Sequence, residues 1–374
     1  MKLYNSESRP TALMNLAAEI VALLREHYID SQALDAWIQA VEPTDVCKRL
    51  PEIGISHTHH LRPDEIDYFH LLVAYCGLPG FAKIVRRTFP GGVHYPGIGI
   101  LPRKGSENRW FASAIMPGGP AARVGLRVGD ELIAVNGAPY APITPFIGLE
   151  GCDCELVARR TLYGAKRQFT VKVKQTSPRR ALPRATRGSI QRFRAHDGSA
   201  IGYIRPWSLA GDRHWRLVTH AATNDLADCK RLILDLRGGI AGSSPDFAEF
   251  FIGGSPELKL YPRSGAAVSI NSHWRKPVIL LVDATTRSGN EVLAFALQRH
   301  GATIVGTRTA GAVAAARPFL LTDRSILLIA THRVEVDGTD LEGVGVAPDI
   351  AVEPKLEYSA GEDPILETAL ALDA

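Results

Sequence analysis

Within the 374 residues, the stretch VILLVDATTRSGNEVLAFALQRHG (278–301) offers the side chain best placed for chemistry. Ser288 falls where an unbroken apolar run ends and helical spacing begins. A serine at such a strand-to-helix elbow carries its hydroxyl above the sheet, and the N–H of Gly289 beside it faces any oxyanion formed there. The same residues also satisfy a purely structural reading, because Ser288 followed by Glu291 is an S-x-x-E capping box. A second segment, ILDLRGGIAGSSPDFAEFF (233–251), sets three glycines within five residues at the end of another apolar run, just before a helix. A turn with so few side chains lets backbone N–H groups near Ala241 and Gly242 approach a substrate carbonyl. The third cluster is ISHTHH (55–60), with His57, His59 and His60. Spacings of one and two residues cannot put three imidazoles on one helical face, and no H-x-x-x-H follows, so no metal is expected.

These groups need elements to hold them. From residue 190 onward, GYIRPW, KRLILDLRGG, KPVILLVDA, ATIVGT and SILLIATHRVEV alternate with the helical stretches SPDFAEFFIGG and NEVLAFALQRHG. Strands of near-continuous Val, Ile and Leu separated by helices predict an α/β core with a largely parallel sheet, over 190–374. Residues 1–91 read as a helical region. In TALMNLAAEIVALL (11–24), Leu13, Leu16, Ala17, Ile20, Leu23 and Leu24 recur at helical spacing, and Asn15 and Glu19 break any signal-like apolar core. SQALDAWIQAV (31–41) follows, then PDEIDYFHLLVAYC (63–76), where Pro63 suits a first turn, Asp64 and Glu65 complement the dipole, and Ile66, Phe69, His70 and Val73 keep an apolar side. The Pro-, Arg- and Ser-rich residues 177–189 read as a linker with little to pack.

Residues 92–176 have a different texture of short β-runs. In GPAARVGLRVGDELIAVNG (119–137), Pro120 starts a short helix, Val124 and Leu126 bury its end, and Gly125 and Gly129 supply positive φ. Asp130 then opens an alternating strand that Asn136-Gly137 closes. This resembles a PDZ domain, an inserted β-rich module. The resemblance implies that YPGIGI (95–100), with Tyr95, Gly97, Ile98, Gly99 and Ile100, receives a peptide C-terminus, and that FTVKVK (169–174) is a closing strand.

The order PDZ, LILDLRGG, serine elbow, TIVGTRTAG and DLEGVGVAPDI resembles the C-terminal processing peptidase family, and its tricorn-like branch more than its tail-specific one. In the tail-specific branch a Lys just after TAG (309–311) activates the serine, but here Ala312 follows, and the only Lys after Ser288 is Lys355 in the acidic segment EPKLE. A serine hydroxyl needs a base near neutral pH. The tricorn-like branch implies His57 of Ser56-His57-Thr58 as that base, with Ser56 and Glu342 as the relay that orients its imidazole. It further implies a serine endopeptidase without a cofactor, an oxyanion hole from Gly289 N–H and an N–H near Ala241 or Gly242, and a PDZ-like module that recognises substrate C-termini or gates the site. The substrate is then a peptide or protein with a free C-terminus. A second reading is a catalytically inactive peptide- or ligand-binding protein on the same fold, as in the interphotoreceptor retinoid-binding relatives. The missing Lys and the altered glycine turn favour it, and the retained Ser56, His57, Ser288 and Glu342 speak against it.

Composition bounds the partners. The net charge of +4 arises from 43 basic and 39 acidic residues that read as interspersed, which gives no reason to expect nucleic acid. No apolar run reaches the roughly 18 residues of a membrane span. The five cysteines, Cys47, Cys76, Cys152, Cys154 and Cys229, include one C-x-C pair and no zinc pattern, so free thiols are expected. Without an export signal the expectation is the cytoplasm, or the periplasm or exterior had a leader been removed. Oligomerisation is left open.

Overall fold

The structure, a computed structural model, describes residues 9–254, 256, 258–266, 268–270 and 273–372. The chain forms two compact units, one from the residues up to Gly92 together with Gly311–Gly345, the other from Val93–Ala310 with Val346 onward.

The first unit begins with the helices Arg9–His27 and Ser31–Ala40, the second capped by the Asp30 carboxylate, which accepts the Ala33 N–H at 3.0 Å. Their apolar faces, with Ala17, Ile20, Leu24, Leu34 and Trp37, pack with Leu50 and Ile53 on Leu327, Ile329 and Ala330. Those last residues belong to the strand Ile326–His332, the centre of a three-stranded antiparallel sheet between His59–Leu61 and Ala315–Leu320. SILLIATHRVEV therefore does not join the parallel core as its sequence suggested. A strand buried on both faces reads the same whether its neighbours run parallel or antiparallel, so the pattern held no information on which sheet it would enter. The helix anticipated over 63–76 spans Ile66–Ala74 and ends in the 3-10 turn Tyr75–Gly77, because Glu65 is still extended at φ −113°. A further helix, Pro79–Thr88, follows.

The second unit contains a six-stranded sheet in the order Gln191–Arg194, Ala200–Ile204, Arg231–Asp235, Val278–Val282, Thr303–Gly306, Ile350–Ala351. The first pair is antiparallel and the rest are parallel, with Leu234 opposite Leu280 and Leu281 opposite Val305. Arg231–Asp235 and Val278–Val282 are buried throughout, as their unbroken apolar runs require. Arg237, just past the first, donates two bonds to Asp235 at 2.8 and 2.9 Å and two to Asp363 at 2.7 and 2.8 Å, tying the strand end to the helix Pro364–Ala371 that Asp363 caps. Burial pushes the Asp235 carboxyl up, but the Arg237 charge and its hydrogen bonds outweigh this and hold it at about 2.

The PDZ-like module lies in the same unit. Ile100–Lys104, Trp110–Ile115, Glu131–Val135, Asp153–Arg159 and Lys166–Lys172 form an antiparallel sheet in that order, and Tyr95–Gly97 pairs with Lys174–Thr176. Ile98, Ile100, Leu126, Leu132, Val135, Leu156 and Val171 fill its core. The segment after the last core strand straps it down: the Ser106 N–H donates to Glu357 at 2.6 Å, the Tyr358 hydroxyl donates to Glu131 at 2.9 Å, and the Gly361 N–H donates to Val128 O at 2.9 Å.

Residues 177–189 are not a loose linker. Pro178–Ser189 is a helix whose Leu182 and Ala185 are buried with Ala114 and Met116 of the PDZ-like sheet and Trp207 of the core. Thr186 Oγ1 accepts the Trp207 N–H at 2.9 Å. Pro178, Leu182 and Ala185 recur at helical spacing, with Thr186 on the same buried face, a stripe hidden by the surrounding arginines. Among the described residues no helix is long and apolar enough to cross a membrane.

Candidate active site

Parallel sheets present ligands at the carboxyl ends of their strands, and both segments selected for chemistry in the second unit leave the sheet there. Ser288 follows Val278–Val282 and precedes the helix Gly289–Arg299, with φ 60° and ψ −139°. That region is sparsely populated for a residue with a side chain and persists only where surroundings enforce it. Part of the enforcement is visible. The Ser288 N–H donates to Glu291 Oε2 at 3.2 Å, and Glu291, fully buried, accepts the Thr309 hydroxyl at 2.5 Å on its other oxygen. Thr309 Oγ1 in turn accepts the Val346 N–H at 2.7 Å. The capping glutamate thus anchors the elbow to the TAG segment.

The glycine turn lies directly against this elbow. A methyl group on Gly242 would run into Gly289 N, and one on Gly289 into Ser243 O, so only glycines permit the approach. The Ser243 hydroxyl donates to Gly289 O at 2.7 Å. Ala241 holds φ 58°, unusual for a residue with a Cβ. Gly289 opens its helix, where an N–H has no intrahelical acceptor. The Ile240 N–H donates to Trp207 O at 3.1 Å, which connects the turn to the helix Pro178–Ser189 through Trp207. Asn290, missed in the sequence, is buried with its amide over Gly239, where a methyl would stand 2.7 Å from Nδ2.

In the first unit, Ser56 is hydrogen-bonded to both His57 and Glu342, although Ser56 and Glu342 are 286 residues apart in sequence. Ser56 Oγ is 3.0 Å from His57 Nδ1, and the Ser56 N–H donates to Glu342 Oε1 at 2.8 Å. Glu342 Oε2 accepts the N–H groups of Val313 at 2.8 Å and Ala314 at 2.9 Å. Burial raises the Glu342 carboxyl, but hydrogen bonds from the Ser56 hydroxyl and amide and from Ala314 and Val313 more than offset it and hold it below its ordinary value. The chain just beyond Ala312, where the tail-specific pattern has its Lys, thus supplies two backbone donors to this carboxylate, a function no side-chain motif reveals. His57 is buried at φ 65°. His60 is otherwise engaged, with Nε2 2.7 Å from Ser325 Oγ, whose hydroxyl donates to Asp323 at 2.5 Å.

In the PDZ-like loop, Tyr95, Ile98 and Ile100 are buried and Gly97 lies between the first two in the chain. Gly99 takes φ 80°, a conformation that favours glycine. Ile98 O accepts the Ala121 N–H and Gly99 O the Met116 N–H, both at 2.9 Å. Ile100–Lys104 is an edge strand among the described residues.

Residues 200–352 match the model of peptidase family S41 and residues 111–144 that of a PDZ domain. The chain is 26% identical over 275 residues to a carboxyl-terminal-processing protease of Picosynechococcus sp., covering 69% of this chain and 64% of that protein. A carboxyl-terminal-processing protease of Synechocystis sp. is 27% identical over 277 residues, covering 70% and 63%. The chain thus spans a little under two thirds of the length of these curated relatives. Its fold is similar to that of the photosystem II D1 C-terminal processing protease, with a TM-score of 0.51 at 18% identity over 97% of this chain and 99% of that one. It is similar also to the tricorn protease, with a TM-score of 0.52 at 15% identity over 96% of this chain and 36% of that one.

Proposed function

We propose that the protein is a serine endopeptidase of the tricorn-like kind, cleaving peptide bonds through an acyl-enzyme. The observation that carries this is the strained Ser288 elbow pressed against the glycine turn, since strain of this kind is retained where function requires it. Ser288 Oγ attacks the scissile carbonyl and His57 takes its proton, then returns it to the leaving amine. His57 Nδ1–H donates to Ser56 Oγ and the Ser56 hydroxyl to Glu342, which stabilises the imidazolium. The Gly289 N–H, with one near Ala241 or Gly242, stabilises the oxyanion. No cofactor is required by these steps. The PDZ-like module, with Tyr95, Gly97, Ile98, Gly99 and Ile100, recognises the free C-terminus of a peptide or protein substrate, and Ile100–Lys104 offers an edge to pair with it.

A fluorophosphonate probe tests this directly. Wild-type protein is expected to label and to cleave peptides, Ser288→Ala to do neither, and His57→Ala to lose turnover. Lys355→Ala, which removes an exposed ion pair with Glu362, is expected to behave as wild type. Wild-type protein that neither labels nor cleaves at any pH would favour the inactive binding protein instead.

A further inference from the structure

We propose that Asn290 is a positioning residue that sets the glycine turn against the serine elbow, an inference that rests on the serine-peptidase reading above. The oxyanion donors of that reading lie on separate segments, Gly289 on the helix and Ala241 or Gly242 on the turn. Their spacing is therefore fixed by what stands between helix and turn. At one end Gly242 meets Gly289 backbone to backbone. At the other, the side chain of Asn290 meets Gly239. A methyl on Gly239 would stand 2.7 Å from Asn290 Nδ2 but 3.7 Å from its next neighbours, the carbonyl oxygens of Leu236 and Pro206, so the amide is what restricts this position.

Elsewhere the turn is tied down by hydrogen bonds. Arg205 Nη2 donates to Arg237 O at 3.3 Å, the Gly238 N–H to Thr285 Oγ1 at 2.8 Å, the Ile240 N–H to Trp207 O at 3.1 Å and the Ser243 hydroxyl to Gly289 O at 2.7 Å. Among the described residues the N–H groups of Gly239, Ala241 and Gly242 have no such bond. Asn290 meets this untied part. The residue is 2% exposed, and its Oδ1 is buried without a hydrogen-bond partner among the described residues. A buried amide oxygen left unpaired costs stability, whereas an apolar side chain of the same shape does not. The amide therefore does little for the fold that carries it. Its use lies in the turn: Oδ1 is an acceptor beside the unpaired Gly239 N–H, placed to hold that end of the turn while a substrate oxygen draws on the donors at the other. The φ of 58° at Ala241 adds that the turn is held in place by its surroundings rather than by its own preference.

Two measurements on the full chain test this. N290L keeps the side-chain volume and removes the amide. Its kcat for peptide cleavage is expected to fall about a hundredfold, the cost of a displaced reacting geometry, with KM little changed. Its urea midpoint should be no lower than that of wild type, a combination that a merely structural asparagine does not give. The second measurement is a double-mutant cycle. G239A sets a methyl against Nδ2 and should lower both the urea midpoint and kcat, whereas in the N290A background, where that atom is gone, the same substitution should change neither further. Wild-type protein that never labels with a fluorophosphonate removes the reaction itself, and this role with it. In protein that does label, an undiminished kcat in N290L, a clearly lowered urea midpoint in N290L, or G239A equally harmful with and without Asn290 would overturn the proposal alone.

Discussion

Replacing Glu342 by Gln exchanges one carboxylate oxygen for an NH2 group while leaving the shape intact. The carboxylate accepts Ser56 N–H on one oxygen and the Val313 and Ala314 N–H groups on the other. The least costly orientation keeps the amide oxygen on Val313 and Ala314 and turns the NH2 toward Ser56, setting donor against donor. A hydrogen bond to a charged group contributes about 1.5–3 kcal/mol. Since Glu342 is only half-buried, the lower part of that range applies, and Glu342→Gln should cost about 2 kcal/mol of stability in urea unfolding. That leaves a domain with 5–15 kcal/mol in reserve almost wholly folded. Turnover should fall much further, by about 10³–10⁴-fold in kcat/KM, because the Ser56 hydroxyl loses the carboxylate that orients it as the acceptor of His57 Nδ1–H and that stabilises the imidazolium. The pH dependence has a definite sign. The Glu342 carboxyl is held below its ordinary value, so its contribution is present above the unfolded-state range near ~4.3 and is lost as pH falls through the folded value. Wild-type stability should therefore decline more steeply than that of Glu342→Gln below about pH 4. A variant retaining more than a tenth of wild-type kcat/KM, with the stability loss as calculated, would refute the relay.

Gly242→Ala places a methyl against Gly289 N, and the separated turn should lower kcat about 10²–10³-fold with KM little changed; a wild-type kcat would remove this turn from the chemistry. Arg237→Met leaves Asp235 fully buried without its cation and should cost about 3–5 kcal/mol by urea unfolding. The wild-type contribution of Asp235, whose carboxyl is held at about 2, is complete above the ordinary carboxylate range and is lost as pH falls through that value, so acid melting curves that are the same with and without Arg237 would contradict it. Leu182→Ala should cost about 2–4 kcal/mol in a packed helix, whereas a change within 0.5 kcal/mol would return 177–189 to the status of a linker.

Local patterns in the chain were enough for several features. The buried runs Arg231–Asp235 and Val278–Val282 are strands because near-continuous apolar character fits the centre of a parallel sheet, and each hands over at its end to a glycine turn or a serine elbow. Positive φ at Gly125, Gly129 and Gly137 made the PDZ-like turns legible, since few other residues tolerate it. The strand Ile326–His332 was equally evident as a strand, but its antiparallel sheet was decided by the helices of its own unit, which cover it. The helix Pro178–Ser189 was obscured because its Arg and Pro content outweighed the few apolar positions, Leu182 and Ala185 among them, whose value depends on Ala114, Met116 and Trp207. Likewise Glu342 acquires its carboxylate environment from Ser56 and from the backbone of Val313 and Ala314, donors that every residue but proline possesses. Spacing along a chain records which face a residue occupies, whereas the partner on the other side of a contact is selected by packing and hydrogen bonding between distant segments, and only the folded chain brings those together.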